Sequence, residues 1–383
     1  MTTQDDRATV GAMHTVTMSD VAERAGVSSA TVSRVLNGNY PVAQATRDSV
    51  NRAIEDLGYT ANAHARALAS SATHSVGIIV NDLVDPFFSY IVRGVEQEAS
   101  ATGRLCIVAA SQGDVDREID LIDRMISQRT DAVIVVGGGY EDPRARRRMA
   151  ERARTLAGIG STLVLCGRPS VGDQAPTKIV GYDNEGGAFA VTQHLIAQGH
   201  RRILYLGGPV GLSTSVARLA GFRRAMQSHG IDVPPELVRQ GAFGRRFGHA
   251  TMGEILDGNP GITAVFAAND LVAAGALDAM TARGVRVPED ISLVGYDDIP
   301  QSSELTPKLT TVHVPLEDMG RESVRLALSR TDDAFGRHAD GEIIVGTRLV
   351  ERESVAAPRA TPWAPGPRSP PARASPRGTP GRC

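Results

Sequence analysis

Several things are scarce in this chain, and each shortage closes off a class of function. Cys106, Cys166 and Cys383 are its three cysteines, too few and too scattered for a disulfide framework or a zinc site. The first two sit in apolar runs and read as buried thiols. Lysine is confined to Lys178 and Lys308. No G-x-x-x-x-G-K-[ST] stretch occurs, so the glycine triplet 137–139 is no phosphate-binding loop. His194 and His200 have no acid–nucleophile set around them, and no metal-ligand spacing is present. The expectation is a protein that is not an enzyme and needs no cofactor. No apolar run reaches membrane-span length, and no charged, apolar and small-residue signal opens the chain. A soluble, cytoplasmic protein with no membrane partner is therefore expected. Excess charge is missing too: the formal net charge is -2, so bulk electrostatics do not announce nucleic acid.

What is present begins with VTMSDVAERAGVSSATVSRVLN, residues 16–37. The pattern predicts two short helices and a tight turn. Thr17 or Ser19 can cap the first, with Asp20 and Glu23 in its first turn, where the helix dipole favours anions. Gly26 supplies the left-handed residue that stops it. Ser28 is placed to cap a second helix, with Val32, Val35 and Leu36 on one face and Ser29, Ala30, Ser33 and Arg34 on the other. That is a helix-turn-helix with small, polar and guanidinium groups outward, as a major-groove reader needs. Arg34 can bond bidentately to guanine O6 and N7. Thr17, Thr31, Asn37 and Thr46 suit phosphate or base contacts, with capping or surface solvation as the alternative. Thr46 is read as the cap of a third helix, Arg47 to Leu57, ended by Gly58. The segment has about as many acids as bases, so the DNA reading rests on the motif.

Residues 1–15 are polar and patternless and read as a disordered lead. Asn62 to Ala69, NAHARALA, is too short to hold a helix alone in water. From Ser75 apolar strands alternate with helices: VGIIV, LCIVAA, AVIVV, TLVLC and KIVGY, then ILYLG, AVFAA and SLVGY. This is the pattern of parallel sheets covered on both faces, in two sets. Ligands of such sheets bind beyond the carboxyl ends of strands. The candidates there are Asp82, Asp85, Phe87 and Phe88 after the first strand, Asn269 and Asp270 after AVFAA, and Asp297 after SLVGY. Residues 357–383 are rich in Pro, Arg, Ala and Gly, hold the single Trp363, and read as a disordered tail.

The runs DVAERAGVS, ATVSRVLN and TRDSVNRAIEDLGYTAN resemble the headpiece of the LacI/GalR (lactose/galactose repressor) family, and the resemblance continues to about Ser354. It implies an all-α helix-turn-helix headpiece (16–60), a hinge helix and linker (61–74) and an α/β two-lobed periplasmic-binding-protein-like domain (75–356). The lobes implied are about 75–179 with 311–340, and 180–310 with 341–356. The crossovers are expected near Val180, near Thr311 and before Ile343, with the strand EIIVGTRLVERES returning to the second lobe. The resemblance further implies that Ser29 and Ala30 choose operator bases and that Leu68 wedges into the minor groove from a hinge carrying Asn62 and Arg66. It implies that Arg218, in ARLAGF, and Phe243 hold the effector. Relatives often read D-x-x-N-P-F-F where this chain has Asp85. Lactose-type members carry an acid after the fourth strand, where this chain has Gly167-Arg168, a second cation that opens the site to a phosphorylated or carboxylate ligand. The implied function is an effector-controlled transcription regulator, most simply a repressor, acting as a homodimer on pseudo-palindromic double-stranded operator DNA. The dimer is expected because the tail lacks leucine heptads. A sugar is the favoured effector; a purine or sugar phosphate acting as co-repressor, or a secreted-type solute-binding role for the lobes, are the alternatives.

Overall fold

Three short helices open the described part of the chain. α1 (Met18–Ala25) starts from a capping box in which the Thr17 side chain accepts from the Asp20 N–H while the Asp20 carboxylate accepts from Thr17 N at 2.7 Å, satisfying two of the N–H groups a helix start leaves orphaned. Gly26, at φ 67°, ends it. α2 (Ser29–Asn37) follows after three residues, and α3 (Gln44–Leu57) closes the group. The core is small: Val21, Ala22, Val32, Val50, Ala53 and Tyr59 are buried in it. Polar ties supplement it, with Arg24 paired to Asp56 at 2.9 Å and Ser49 Oγ donating to the Ala25 carbonyl.

The computed structural model describes residues 16–37, 41–59, 74–172, 174–258, 261–329, 341–360 and 363. They divide into two units, within Met1–Thr73 and within His74–Cys383. In the larger unit, β1 (Ser75–Val80), β2 (Leu105–Ala110), β3 (Ala132–Val136), β4 (Thr162–Cys166), β5 (Thr177–Tyr182) and β11 (Glu342–Val345) make one parallel sheet in the order β11-β5-β4-β3-β1-β2. Its helices are α4 (Pro86–Ala101), α5 (Val115–Ser127), α6 (Pro143–Gly158) and α11 (Leu316–Leu328). A second parallel sheet, β7-β6-β8-β9, uses β6 (Ile203–Gly207), β7 (Val238–Gln240), β8 (Ala264–Ala267) and β9 (Ser292–Val294). Around it lie α7 (Asn184–Ala197), α8 (Ser213–Ser228), α9 (Arg245–Asp257) and α10 (Asp270–Ala282). The central strands of both sheets are wholly buried, which is why they read as continuous apolar runs rather than alternating ones. β10 (Thr311–His313) and β12 (Arg348–Val350) pair antiparallel.

Four expectations are corrected. KIVGY stays in the first sheet to its end, Gly181 and Tyr182 lying opposite Ile344 and Val345. The strand 342–345 therefore also belongs to the first lobe, and the chain crosses only after Val345. It reaches the second lobe by Ser354, whose carbonyl accepts from Leu293 N at 2.8 Å. Thr46 is not a cap: α3 starts at Gln44, and Ala43 before it makes no side-chain cap bond. The start of the expected tail is packed rather than loose. Trp363 sits against the second lobe's core, and Arg359 pairs with Asp290, which also holds Arg286. An indole and a buried carboxylate anchor a segment whose composition alone argued against any fold. Of the two thiols read as buried, Cys166 is buried and Cys106 only partly so.

Candidate functional site

Three of the four residues expected on the outward face of the second helix are exposed. Ser29, Ala30 and Arg34 are exposed on α2, while Val32 is buried and Val35 and Leu36 pack against the core. Ser28 holds the helix start: its Oγ accepts from Thr31 N at 3.2 Å and lies 2.9 Å from Thr31 Oγ1. The Ser28 and Thr31 hydroxyls, like that of Thr17, thus serve helix starts first, which leaves Ser29, Ala30 and Arg34 as the outward chemistry. Ser33 is half-buried, as is Thr46 in the first turn of α3. The Asn37 side chain, Asn62, Arg66 and Leu68 lie outside the described residues.

In the larger unit a cavity of about 600 Å³ opens between the carboxyl ends of the two sheets. Asp82, Asp85, Phe87, Phe88, Arg168, Arg218, Phe243, Asn269 and Asp297 all line it. Its second-lobe wall is built on Arg218, which is 2 % exposed. The guanidinium lies 3.7 Å over the Tyr296 ring. It donates to Asn184 Oδ1 at 2.9 Å, to Tyr182 OH at 3.1 Å, to Asp297 Oδ1 at 2.8 Å and to the Ala268 carbonyl. Asp297 is held at φ 104°, a conformation that costs energy outside glycine and clusters at functional sites. Burial pushes its carboxyl up, to about 7, against the pull of Arg218.

The first-lobe wall is built on Arg168. Its Nη1 and Nη2 fork onto Glu118 Oε1 and Oε2 at 2.9 and 3.0 Å, and Nε donates to the Gly137 carbonyl at 2.8 Å. The cation expected to attract an anionic ligand already has a carboxylate of its own, which corrects the inference drawn from Arg168 alone. Phe87 and Phe88 meet edge to face at 5.2 Å, and Phe87 lies 6.4 Å from Tyr182. Both pack against the core cluster and line the cleft as well.

Asp270 does not line the cavity. Its carboxylate accepts from Thr311 Oγ1 at 2.6 Å and from Ile299 N at 2.9 Å, tying β10 and the loop after β9 to the sheet. Asn269 and Asp85 line the cleft but also cap helices, accepting from Val272 N and Phe87 N. Burial raises the Asp85 carboxyl, its cap bond opposing. Glu118, Tyr182, Asn184 and Tyr296 were not singled out from the sequence. Each reaches the site from an element whose pattern signals only core or surface.

The glycine triplet has a use after all. A Cβ on Gly138 would meet Thr214 Oγ1 at 2.8 Å and Leu212 Cγ at 3.0 Å, so the lobes approach closely there. Gly139 N donates to Ser213 Oγ at 3.1 Å, Ser213 N donates back to the Gly139 carbonyl at 2.9 Å, and Tyr140 and Leu212 form an antiparallel bridge. The start of α8 lacks a side-chain cap, leaving backbone donors at the cleft. Among the described residues no group of His, Cys, Asp and Glu could hold a metal ion, and no helix is long and apolar enough to cross a membrane.

A helix-turn-helix unit and, in the same chain, a two-lobed unit with a cleft between parallel sheets define a class: transcription regulators that couple a small-molecule cleft to a DNA reader. Comparisons with known proteins make this specific. Residues 17–62 match the bacterial regulatory proteins of the lacI family, and residues 192–355 match a periplasmic binding protein-like domain. The chain is 37 % identical to the HTH-type transcriptional regulator CelR of Thermobifida fusca, over 88 % of this chain and 98 % of that one. It is 36 % identical to GalR of Escherichia coli K12, over 89 % and 96 %. Among solved structures, the Lac repressor dimer bound to operator and the anti-inducer ONPF superposes with a TM-score of 0.77 at 29 % identity, over 90 % of this chain and 100 % of that one. A CelR–cellobiose complex does so at 0.63 and 35 %, over 88 % and 99 %. The chain belongs to the lacI family, and it is a DNA-binding transcriptional regulator under effector control.

Proposed function

We propose that this regulator is a cytoplasmic homodimeric repressor without enzymatic activity, that it reads a pseudo-palindromic operator through Ser29, Ala30 and Arg34, and that its effector is an uncharged sugar held between the two lobes. The observation that carries the effector class is the state of the two inner arginines. Arg168 and Arg218 each have a carboxylate within hydrogen-bond distance, and Asp82 and Asp85 add further acid. An anionic group approaching Arg168 or Arg218 meets a cation already paired with a carboxylate, and the third arginine lining the cavity, Arg146, is exposed. Phe87, Phe88 and Phe243 offer apolar faces to a pyranose ring, and the surrounding carboxylates, amides and backbone N–H groups suit hydroxyls, which both donate and accept. The bound cellobiose of the CelR relative supports a disaccharide. Asp82, Asp85, Arg168, Asn269, Arg218, Phe243 and Asp297 are the residues assigned to the ligand. Leu68 is assigned the minor-groove wedge, with Asn62 and Arg66 alongside.

A thermal-shift panel of neutral mono- and disaccharides, sugar phosphates and purines tests the effector class. A stabilising disaccharide supports the reading; a purine that shifts melting while every sugar is silent replaces it. Arg34→Ala should weaken binding to an operator fragment by about 1–3 kcal/mol and relax the choice at one base pair in each half-site. Unchanged affinity and base choice would mean that α2 meets the groove with another face.

A further inference from the structure

We infer that Glu118 sets the charge class of ligand that the cleft accepts. The inference rests on the uncharged-sugar reading and adds the residue responsible for it. Glu118 stands in the first turn of α5, where the helix starts on the Asp114 cap, whose carboxylate accepts from the N–H groups of Asp116 and Arg117. From there it reaches across to Arg168, in the loop that follows β4. Both partners line the cavity, and both side chains are only 11 % exposed, so water screens the pair weakly. The fork uses one N–H from each terminal nitrogen of Arg168, and Nε is spent on the Gly137 carbonyl. Two N–H groups remain, enough to donate to a ligand hydroxyl.

The pair as a whole carries no net charge. A phosphoryl or carboxylate group approaching Arg168 would face Glu118 bound to the same guanidinium and would be repelled by it. The opposite wall differs: Arg218 distributes its donors over an amide, a phenol, a carbonyl and Asp297, whereas Arg168 depends on one acid. Removing the charge of Glu118 while keeping its shape should therefore turn a neutral wall into a cationic one. The sequence hid this because Glu118 and Arg168 are 50 residues apart, and Arg168 read alone points to the opposite conclusion.

The test uses the full chain as wild type, Glu118→Gln, Glu118→Gln/Arg168→Met and Arg168→Met. Inorganic phosphate is the first probe, titrated by calorimetry at constant ionic strength. Saturable phosphate binding should be absent from the wild type, should be present in Glu118→Gln with a gain of at least about tenfold, and should disappear in the double variant. Glucose 6-phosphate should gain on glucose by a similar factor in Glu118→Gln. Arg168→Met gives the opposite arm and serves if Glu118→Gln melts too low to titrate. Its wall carries Glu118 alone, so cationic glucosamine should gain about tenfold on glucose. Wild-type phosphate binding as tight as that of Glu118→Gln would overturn the assignment. So would a phosphate gain that survives loss of Arg168, or no glucosamine preference in Arg168→Met. Cellobiose failing to bind any of the four proteins would count against the disaccharide reading, while the phosphate arms would still decide on Glu118.

Discussion

The two walls of the cleft solve one problem in different ways. Each places a guanidinium where little water reaches, at a cost that must be offset by hydrogen bonds and counter-charge. On the second-lobe wall Arg218 is fully enclosed, stacked on Tyr296 and shared among four acceptors on four segments of chain. On the first-lobe wall Arg168 is braced by a single carboxylate and a single carbonyl. The first arrangement ties β5, α7, β8 and the β9 loop together through one side chain, so it is structural as much as it is ligand-facing. The second is local, and its parts can be exchanged without dismantling a lobe. Arg168 is thus easier to replace than Arg218.

The largest effect is expected where the network is widest. Arg218→Met leaves Asp297 buried beside Asp270 without its partner, and should destabilise the larger unit by about 3–5 kcal/mol in denaturant unfolding, with loss of effector response. Arg168→Met should cost less, about 1–3 kcal/mol, because only Glu118 and the Gly137 carbonyl lose a partner. Equal costs for the two would erase the contrast between the walls. Gly138→Val tests whether the walls need their present spacing. Its side chain would run into Leu212 and Thr214 and should weaken effector affinity by about 1–2 kcal/mol as the lobes are propped apart; unchanged affinity would mean that the Gly139–Ser213 contact is dispensable.

The smallest effect is a pH slope confined to the second wall. The Asp297 carboxyl stands at about 7 in the folded protein, above its ordinary 3.8, because of burial. Its contribution to stability is therefore fully present below its ordinary value and is lost as the pH rises through about 7. The larger unit should lose about 1 kcal/mol from this source between about pH 6 and 8. Asp297→Asn should flatten that part of the slope in melting curves. A slope identical in the variant would assign it to other groups, Asp270 first, since burial and Asp297 raise its carboxyl as well.

Much of this was legible in the sequence, for reasons that are local. Thr17, Gly26 and Ser28 mark helix ends through their own backbone and side-chain chemistry, and they lie where that chemistry requires. The buried strands announced themselves because nothing polar interrupts them. Partnership was not legible. EIIV reads the same whichever sheet it joins, and only its register against Ile179–Tyr182 decides. Asp270 and Asp297 are both acids at strand ends, yet one turns inward to Thr311 and the other faces Arg218. Arg168 looked like a free cation because its acid lies on another element. In each case the missing information was a contact between distant segments, which neither composition nor periodicity encodes.

The threading of the chain between its lobes also orders the protein's appearance in time. A nascent chain that has emerged as far as Tyr59 already holds every helix of the DNA-reading core. The first sheet, by contrast, lacks an edge strand until Val345 has emerged, and the second lobe waits for Ser354 and Ala356 to bond Leu293, Ser292 and His200. Domains generally fold as they leave the ribosome, N-terminal first. Every molecule of this regulator therefore passes through an interval in which its reader is assembled and its sensor is not. A synthesis arrest between those points would leave the three-helix core of the reader without a finished effector cleft.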